Sequence, residues 1–401
     1  MVCVIQILFI LAKENIITMK AILIIRALLV GFVMLGFSNS FFAQTQSDIS
    51  GMSKNGTDLG SSNSVGELSR VEEKYGVSGY SVVFWNIENF FDLMPSTNYV
   101  ETGFTPKGPM RWSRKRFNKK RDGIAKVLIA TGFSDNLPTI ISFAEVENRY
   151  VLNQLIYETP LYNGNYRIIH KDSPDRRGID VALFYRKDLF RSLKNRWIPV
   201  EFTDSQFSRD ILYVKGVFQE LDTVHLFVNH WPSKYGGEKI SAPKRLVAAL
   251  ALGNICDSLL QQNSKSNILV MGDFNDTPDS KVFESLKSLR LLEHNTHLNP
   301  KFREQFSGEL KMKGIVNLKG TIKYKGVWEK IDHFFVSENI LDNAQPISIE
   351  QESVLTFGAK YLLEKDRAYI GRKPRRTYIG PRYNGGLSDH LPIVLKIKRN
   401  W

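Results

Sequence analysis

With 401 residues and 43% hydrophobic side chains, the chain can bury a full-sized core, and its length holds one domain of about 250–300 residues plus flanking segments. Its 54 Lys and Arg against 41 Asp and Glu give a net charge of +13, which favours polyanionic partners. Two Cys in the whole sequence exclude a fold stapled by a disulfide framework.

From Met19, the stretch "MKAILIIRALLVGFVMLGFSNSFFAQ" runs from a Lys through an apolar segment to small polar residues, the layout of a secretory signal with cleavage after Ala43. Residues 1–18 read as an upstream start, so 1–43 together form the expected signal segment. The alternative is a permanent anchor, because Ala21 to Phe37 is interrupted only by Arg26 and approaches spanning length. The small-residue exit ending in Ala favours cleavage, although Phe41 departs from the usual pattern. Export would leave a secreted or periplasmic protein with no stable membrane association. Removal of 1–43 takes away Cys3 and leaves Cys256 alone, so no internal disulfide can form. It also leaves 51 basic against 40 acidic side chains, a net charge of +11.

Residues 44–78, rich in Ser, Gly and Asn, read as a flexible leader, and 79–401 as the folded domain. From Tyr80 onward short β-rich runs recur: "YSVVFW", "TIISFA", "DVALFY", "VHLFVN", "NILVMG", "DHFFV" and "PIVLKI". Helical spacing predicts helices over 113–130, 241–262 and 279–288, with Ser241 ahead of Pro243 and Thr277-Pro278 as starts. Cys256 falls in the second of these, where a buried structural thiol is expected. Two basic clusters stand out, "RWSRKRFNKKR" (111–121) and "GRKPRRTYIGPRY" (371–383). Phosphate contacts are expected there, in particular from Arg375 and Arg376; the alternative for the first cluster is the solvated face of a helix.

Polar residues gather at the ends of these strands. Asn86 and Glu88 follow the first, Glu145 the second, Asn229 and His230 the fourth, and Asp273 and Asn275 the fifth; Asp332 and Asp389-His390 precede the last two. If these ends share one rim, carboxylates, amides and two imidazoles meet in one cleft. Oxygen donors without Cys suit Mg2+ or Mn2+, and such an ion suits a phosphate ester.

"FWNIENF", "SFAEVEN", "VNHWPSK", "VMGDFND", "KIDHFFV" and "SDHLPIV", in this order across residues 80–398, resemble the motifs of the endonuclease/exonuclease/phosphatase superfamily, in its secreted bacterial-type nuclease branch. The resemblance implies an α/β four-layer sandwich, two central mixed β-sheets flanked by helices. It implies Glu145 as the principal metal carboxylate, with Asn86, Glu88 and Asp389 contributing directly or through water. Asp273 and Asn275 would hold the attacking water and the scissile phosphate. His390, paired to Asp332, would be base or phosphate ligand, and His230 acid or phosphate ligand, with the division between them open. Taken alone, "GDFNDTPDS" would read as a local turn ahead of a helix; the joint order of six motifs gives it a catalytic reading.

In "SPDRRGIDVALFYR", Arg177 is expected to approach the phosphate and Asp180 to lie on the rim, the alternative being a hairpin turn with a solvated Arg pair. The superfamily motifs are shared by enzymes acting on DNA, RNA, sphingomyelin and inositol phosphates, so charge has to choose the substrate. It favours a nuclease on DNA or RNA; the alternative is a phosphodiesterase or phosphatase on a phospholipid, inositol phosphate or sugar phosphate. A monomer is the expectation.

Overall fold

The computed structural model describes residues 79–95, 103–132, 137–202, 208–219, 221–294, 316, 318–350 and 354–400, all belonging to the unit Gly76–Trp401. The expected signal segment and leader lie outside the described residues. In chain order, β1 (Gly79–Phe90), helix α1 (Arg114–Ala130), β2 (Ile140–Val146), helix α2 (Arg149–Tyr157), β3 (Tyr166–His170) and β4 (Asp180–Arg186) come first. A second group follows: β5 (Phe190–Ile198), β6 (Ile211–Phe218), β7 (Thr223–His230), helix α3 (Glu238–Gln262), β8 (Asn267–Asp273) and β9 (Arg290–Leu291). Then come the hairpin β10 (Ile322–Tyr324) and β11 (Val327–Glu329), β12 (Asp332–Val336), β13 (Ile347–Ser348) and β14 (Val354–Thr356). The pairs β15 (Leu363–Lys365) with β16 (Arg372–Pro374) and β17 (Tyr378–Ile379) with β18 (Arg382–Tyr383) precede the closing β19 (Ile393–Arg399).

One sheet runs β13-β19-β1-β2-β4-β3, with β14 also on β19; the other runs β5-β6-β7-β8-β12-β9. Both are mixed, because β1 pairs β2 and β7 pairs β8 in parallel while their other neighbours are antiparallel. Alternate residues of each sheet meet in a shared core: Val82 and Phe84 of β1, Leu212 and Val214 of β6, Leu269 and Met271 of β8. The opposite face of β1 packs Val83, Trp85 and Ile87 with Phe117, Ile124 and Leu128 of α1 and Leu152 of α2. Likewise Phe227, Ile268 and Val270 pack with Ala248, Leu252 and Cys256 of α3. The order helix, sheet, sheet, helix is the expected four-layer α/β sandwich. Strands buried on both faces read as the continuous apolar runs seen in the sequence. Edge strand β5 exposes Arg191, Lys194 and Arg196, charges that discourage further strand pairing.

The helix over 113–130 forms with Ser113 at its N-cap position. The second helix begins three residues earlier than predicted, at Glu238, with Pro243 one turn inside it. Pro243 has no amide to donate to the Lys239 carbonyl, which removes one i→i−4 bond near the helix start, and the Ser241 amide and hydroxyl both donate to the Gly237 carbonyl one turn before Ser241. The predicted helix at 279–288 is a short 3-10 turn, Lys281–Leu286, started by Ser280 and anchored by Val282 and Leu286. Among the described residues no helix is long and apolar enough to cross a membrane.

Candidate active site

The register of the second sheet lines up three polar groups. His230 is paired with Asp273 across the parallel β7–β8 ladder, and Asp273 with Asp332 across the antiparallel β8–β12 ladder. An antiparallel strand starts where its neighbour ends, so the end of β8 and the start of β12 share one rim. The first sheet repeats the device: β19 opens with Ile393 opposite Phe84 of β1, so Asp389 and His390 lie at the far end of β1. Ser388 fixes this junction, its hydroxyl donating to the Asn86 carbonyl (2.6 Å) and accepting from the His390 amide (2.9 Å). The Trp85 indole donates to the His390 carbonyl (3.0 Å).

Backbone irregularity then aims the side chains. The β1–β2 register shifts between Asn86 and Phe90, and the β2–β4 register between Ala144 and Val146. Four non-glycine residues at this rim take the left-handed region: Glu88 (φ 48°), Asn89 (53°), Glu145 (64°) and Asn275 (52°). Such conformations cost about 1–3 kcal/mol each and persist where the surrounding structure over-determines them.

Asp273 is the hub. Its Oδ2 accepts from Asn86 Nδ2 (3.0 Å), its Oδ1 from the Asn275 amide (2.9 Å), and Oδ2 lies 3.7 Å from Nε2 of both His230 and His390. Burial pushes the Asp273 carboxyl up to about 7, with Asp332 adding to the rise and His390 opposing it. The two imidazoles diverge. His390 Nδ1 faces the Asp332 carboxylate (2.9 and 3.2 Å), and although burial alone would lower its pKa, Asp332 and Asp273 hold it well above the ordinary value. Burial, then the charges of Arg209, Arg177 and His390, hold His230 well below that value, and its Nδ1 is buried without a partner. One imidazole is therefore a cation near neutrality and the other is neutral.

On the facing side Glu145 Oε2 accepts from the Asn89 amide (2.9 Å), while Oε1 lies 3.8 Å from His230 Nε2. Glu88 is tied differently: Oε1 accepts from Arg376 Nε (3.0 Å) and Oε2 from the Thr377 amide (2.8 Å). Arg376 Nη2 also reaches Asp389 Oδ2 (3.0 Å). Burial, and then Asp389, push Glu88 up to about 7 against the opposing Lys120 and Arg376. Lys120 was not foreseen. Its buried ammonium donates to the Glu88 carbonyl and to Thr377 Oγ1, and burial brings its pKa down to about 8 although Glu88, Glu145 and Asp389 favour the charged form. A signal existed, since Lys120 falls at helical spacing between the core residues Phe117 and Ile124.

Glu145 and Asp389 present partly exposed carboxylates, side chains 15% and 21% accessible, donors of the kind a hard divalent cation takes, while the Asn86 oxygen accepts from the Glu88 amide (3.0 Å). Both Glu88 oxygens already accept hydrogen bonds from Arg376 and Thr377, which places Glu88 behind the other donors as a source of negative charge.

Arg177 and Arg376 stand near these groups, whereas Asp180 and Arg375 make other contacts. Asp180 is fully buried, its Oδ2 3.0 Å from His170 Nε2 and its Oδ1 accepting from the Ser173 amide (2.8 Å), so it pins the loop before β4 instead of lying on the rim. That loop carries Arg177, whose side chain is half exposed and whose Nε stands 3.5 Å from Asp175 Oδ1. Arg375 donates to the Asn384 carbonyl from Nε (3.2 Å) and Nη2 (2.8 Å), closing the β17–β18 hairpin. Arg376 bridges two carboxylates of the site. In the first basic cluster Arg116 donates to the Met110 and Arg111 carbonyls and stacks over Tyr383 at 4.4 Å, a structural use of the charge. Asn229 is also structural, its amide bonded to the Met271 carbonyl and its Oδ1 accepting from the Trp231 indole.

Two mixed sheets with helices outside them and a polar rim at the strand ends define the class of fold. Residues 81–399 match the Endonuclease/Exonuclease/phosphatase family, and the chain belongs to it. Its members are phosphoric ester hydrolases that depend on divalent metal. No curated relative matches the chain. Among solved structures it is similar to the human Nocturnin catalytic domain with bound sulfate, at 14% identity over 80% of this chain and 95% of that one, TM-score 0.47. It is also similar to a mannosyl-6-phosphatase of Bacteroides thetaiotaomicron (16%, 79% and 99%, TM-score 0.48). A third similar structure is D. rerio TDP2 complexed with single-strand DNA product (13%, 80% and 99%, TM-score 0.45).

Proposed function

We propose that residues 79–401 form an exported, divalent-metal-dependent phosphodiesterase that cleaves nucleic acid, released by cleavage after Ala43. The observation that carries the reading is the Asp273 carboxyl set 3.7 Å from Nε2 of two imidazoles, one of them held on the Asp332 carboxylate (2.9 Å) and the other buried with no partner on Nδ1. Glu145 and Asp389, with Asn86 beside them and Glu88 behind, would hold Mg2+ or Mn2+. When bound, that ion supplies positive charge against the phosphoryl oxygens. Asp273 and Asn275 hold the attacking water against the scissile phosphate. His390, kept protonated by Asp332, donates to an oxygen that gains charge; neutral His230 accepts a proton. Nucleic acid is favoured as substrate by the +11 charge of residues 44–401.

Incubating the purified protein with plasmid, RNA, phospholipid and a sugar phosphate, each with and without chelator, tests the proposal. Metal-dependent cleavage of DNA or RNA is expected. Its affinity should fall with salt by roughly 0.9 log units per contacted phosphate per decade for duplex DNA. Hydrolysis of a phospholipid or sugar phosphate with nucleic acid untouched would replace the substrate. Intact mass of the native protein checks export: a chain beginning at Gln44 is expected, and retention of residues 19–43 in a membrane fraction contradicts it.

A further inference from the structure

Two residues ahead of β6, Arg209 is buried with its guanidinium spread over three acceptors. Nη1 donates to Asp175 Oδ2 (2.9 Å), Nε to the His230 carbonyl (3.2 Å) and Nη2 to the Trp231 carbonyl (2.8 Å). Successive carbonyls of an extended strand point to opposite sides, so one planar fork takes both only where the chain turns out of its ladder. β7 ends at His230, and Arg209 closes that turn. The Trp231 carbonyl also accepts from Asn275 Nδ2 (3.0 Å), and the Trp231 amide donates to the Asp273 carbonyl (2.9 Å). One residue beside His230 thus meets Arg209, Asn275 and Asp273. The far end of Arg209 is anchored as well. Asp175 Oδ1 accepts from the Arg177 amide (2.8 Å), the same loop is held by the Ser173 amide on buried Asp180 (2.8 Å), and Lys171 Nζ meets Asp210, next to Arg209 (3.1 Å). Burial raises the Asp175 carboxyl, but Arg209 and then Arg177 bring it below its ordinary value, so the Asp175–Arg209 pair is ionic. A chain of contacts therefore runs from the start of β4 through Asp175 and Arg209 to the end of β7.

A buried ion pair alone would hold the fold and do no more. Here two of the three acceptors are main-chain oxygens at the point where the site's own residues leave the sheet. Resting on the phosphodiesterase reading above, we propose that Arg209 is a positioning residue for the cleavage: by fixing the His230 and Trp231 carbonyls it sets the His230 imidazole and the Asn275 amide against Asp273. Arg209 itself touches no reacting atom. Rotation of the His230–Trp231 peptide swings the imidazole whose Nε2 lies 3.7 Å from Asp273 Oδ2, and a misplacement of about 1 Å in such a group costs on the order of a hundredfold in rate. Lysine at this position keeps a charge for Asp175 but has no fork to hold two carbonyls at once.

A double-mutant cycle on the purified full chain tests this with end-labelled DNA or RNA, each rate being divided by the folded fraction from a urea unfolding curve. Arg209→Lys is expected to lower kcat by at least about tenfold with KM within about threefold, and in a His230→Ala background to cost less than about twofold. A role in stability alone would carry the same factor in both backgrounds. Should His230→Ala leave no measurable turnover, Asn275→Ala serves as the background. A smaller loss of kcat in folded Arg209→Lys, or a full cost retained in the second background, overturns the assignment. If Arg209→Lys does not fold, Asp175→Asn takes its place, keeping the shape and withdrawing the counter-charge. Its expected loss of kcat is at least about threefold, and a smaller one refutes the proposal. If neither DNA nor RNA is cut with Mg2+ or Mn2+, the nuclease reading fails, and the cycle is run on whichever phospholipid or sugar phosphate is hydrolysed. With no ester hydrolysed, crystal structures decide: His230 and Asn275 displaced from Asp273 in the variant support the positioning role, and unmoved side chains refute it.

Discussion

The two sides of the rim use similar residues in opposite ways. Around Asp273 the polar atoms stop short of full pairing: both imidazole Nε2 atoms stand 3.7 Å away, and the His230 Nδ1 has no partner. Around Glu88 every charge is met, its carboxylate by Arg376 and Thr377, with Lys120 on its carbonyl and Arg376 reaching on to Asp389. An unsaturated cluster can exchange protons and bind a reacting group. A saturated one holds geometry and sets the local charge. Under the proposed function, the Asp273 side would carry the proton transfers and the Glu88 side would hold the cation.

Metal removal breaks the comparison most completely. Stripping with excess EDTA should abolish phosphodiesterase activity, and Mg2+ or Mn2+ should restore it, as read by substrate release over time. Next, His390→Ala and Glu145→Gln should each lower turnover by about two to four orders of magnitude with the fold retained, because each removes a group facing the reaction and no core packing. Steady-state kinetics alongside circular dichroism check this. Lys120→Met should act on both sides of the ledger. Leaving the buried Glu88 carbonyl and Thr377 hydroxyl without their donor should cost about 3 kcal/mol in urea unfolding. Activity should fall with it and recover in part with raised metal concentration. The smallest effect is expected of Arg375→Ala: its guanidinium serves one carbonyl of an exposed hairpin, so KM and kcat should stay within about threefold of wild type.

Much of this site was legible in the sequence because polar residues interrupt apolar strands at their ends, a local pattern. Asn86, Glu145, His230, Asp273, Asp332 and His390 were each visible that way, and the ladder register brings them together. What the sequence concealed depends on pairing across the chain. Arg376 looks like a surface cation in a basic run, yet its partner Glu88 is 288 residues away. Lys120 is masked by the Lys and Arg around it, although its helical phase puts it among buried residues. Asp180 opens a strand like the site acids do, and only the fold shows it turned toward His170 and Ser173. Helix α3 was predicted from Pro243, whose preference for a first turn gave a start three residues late.

The most direct test of the account is the turnover of Asp273→Asn on end-labelled DNA and RNA at saturating Mg2+, with its unfolding curve measured in parallel. The substitution keeps the shape of the side chain, removes the charge placed between His230 and His390, and leaves one oxygen to accept where Asp273 uses two, for Asn86 Nδ2 and the Asn275 amide. The account predicts a folded protein whose kcat is lower by at least about two orders of magnitude. A folded variant cleaving at a rate close to wild type would contradict it.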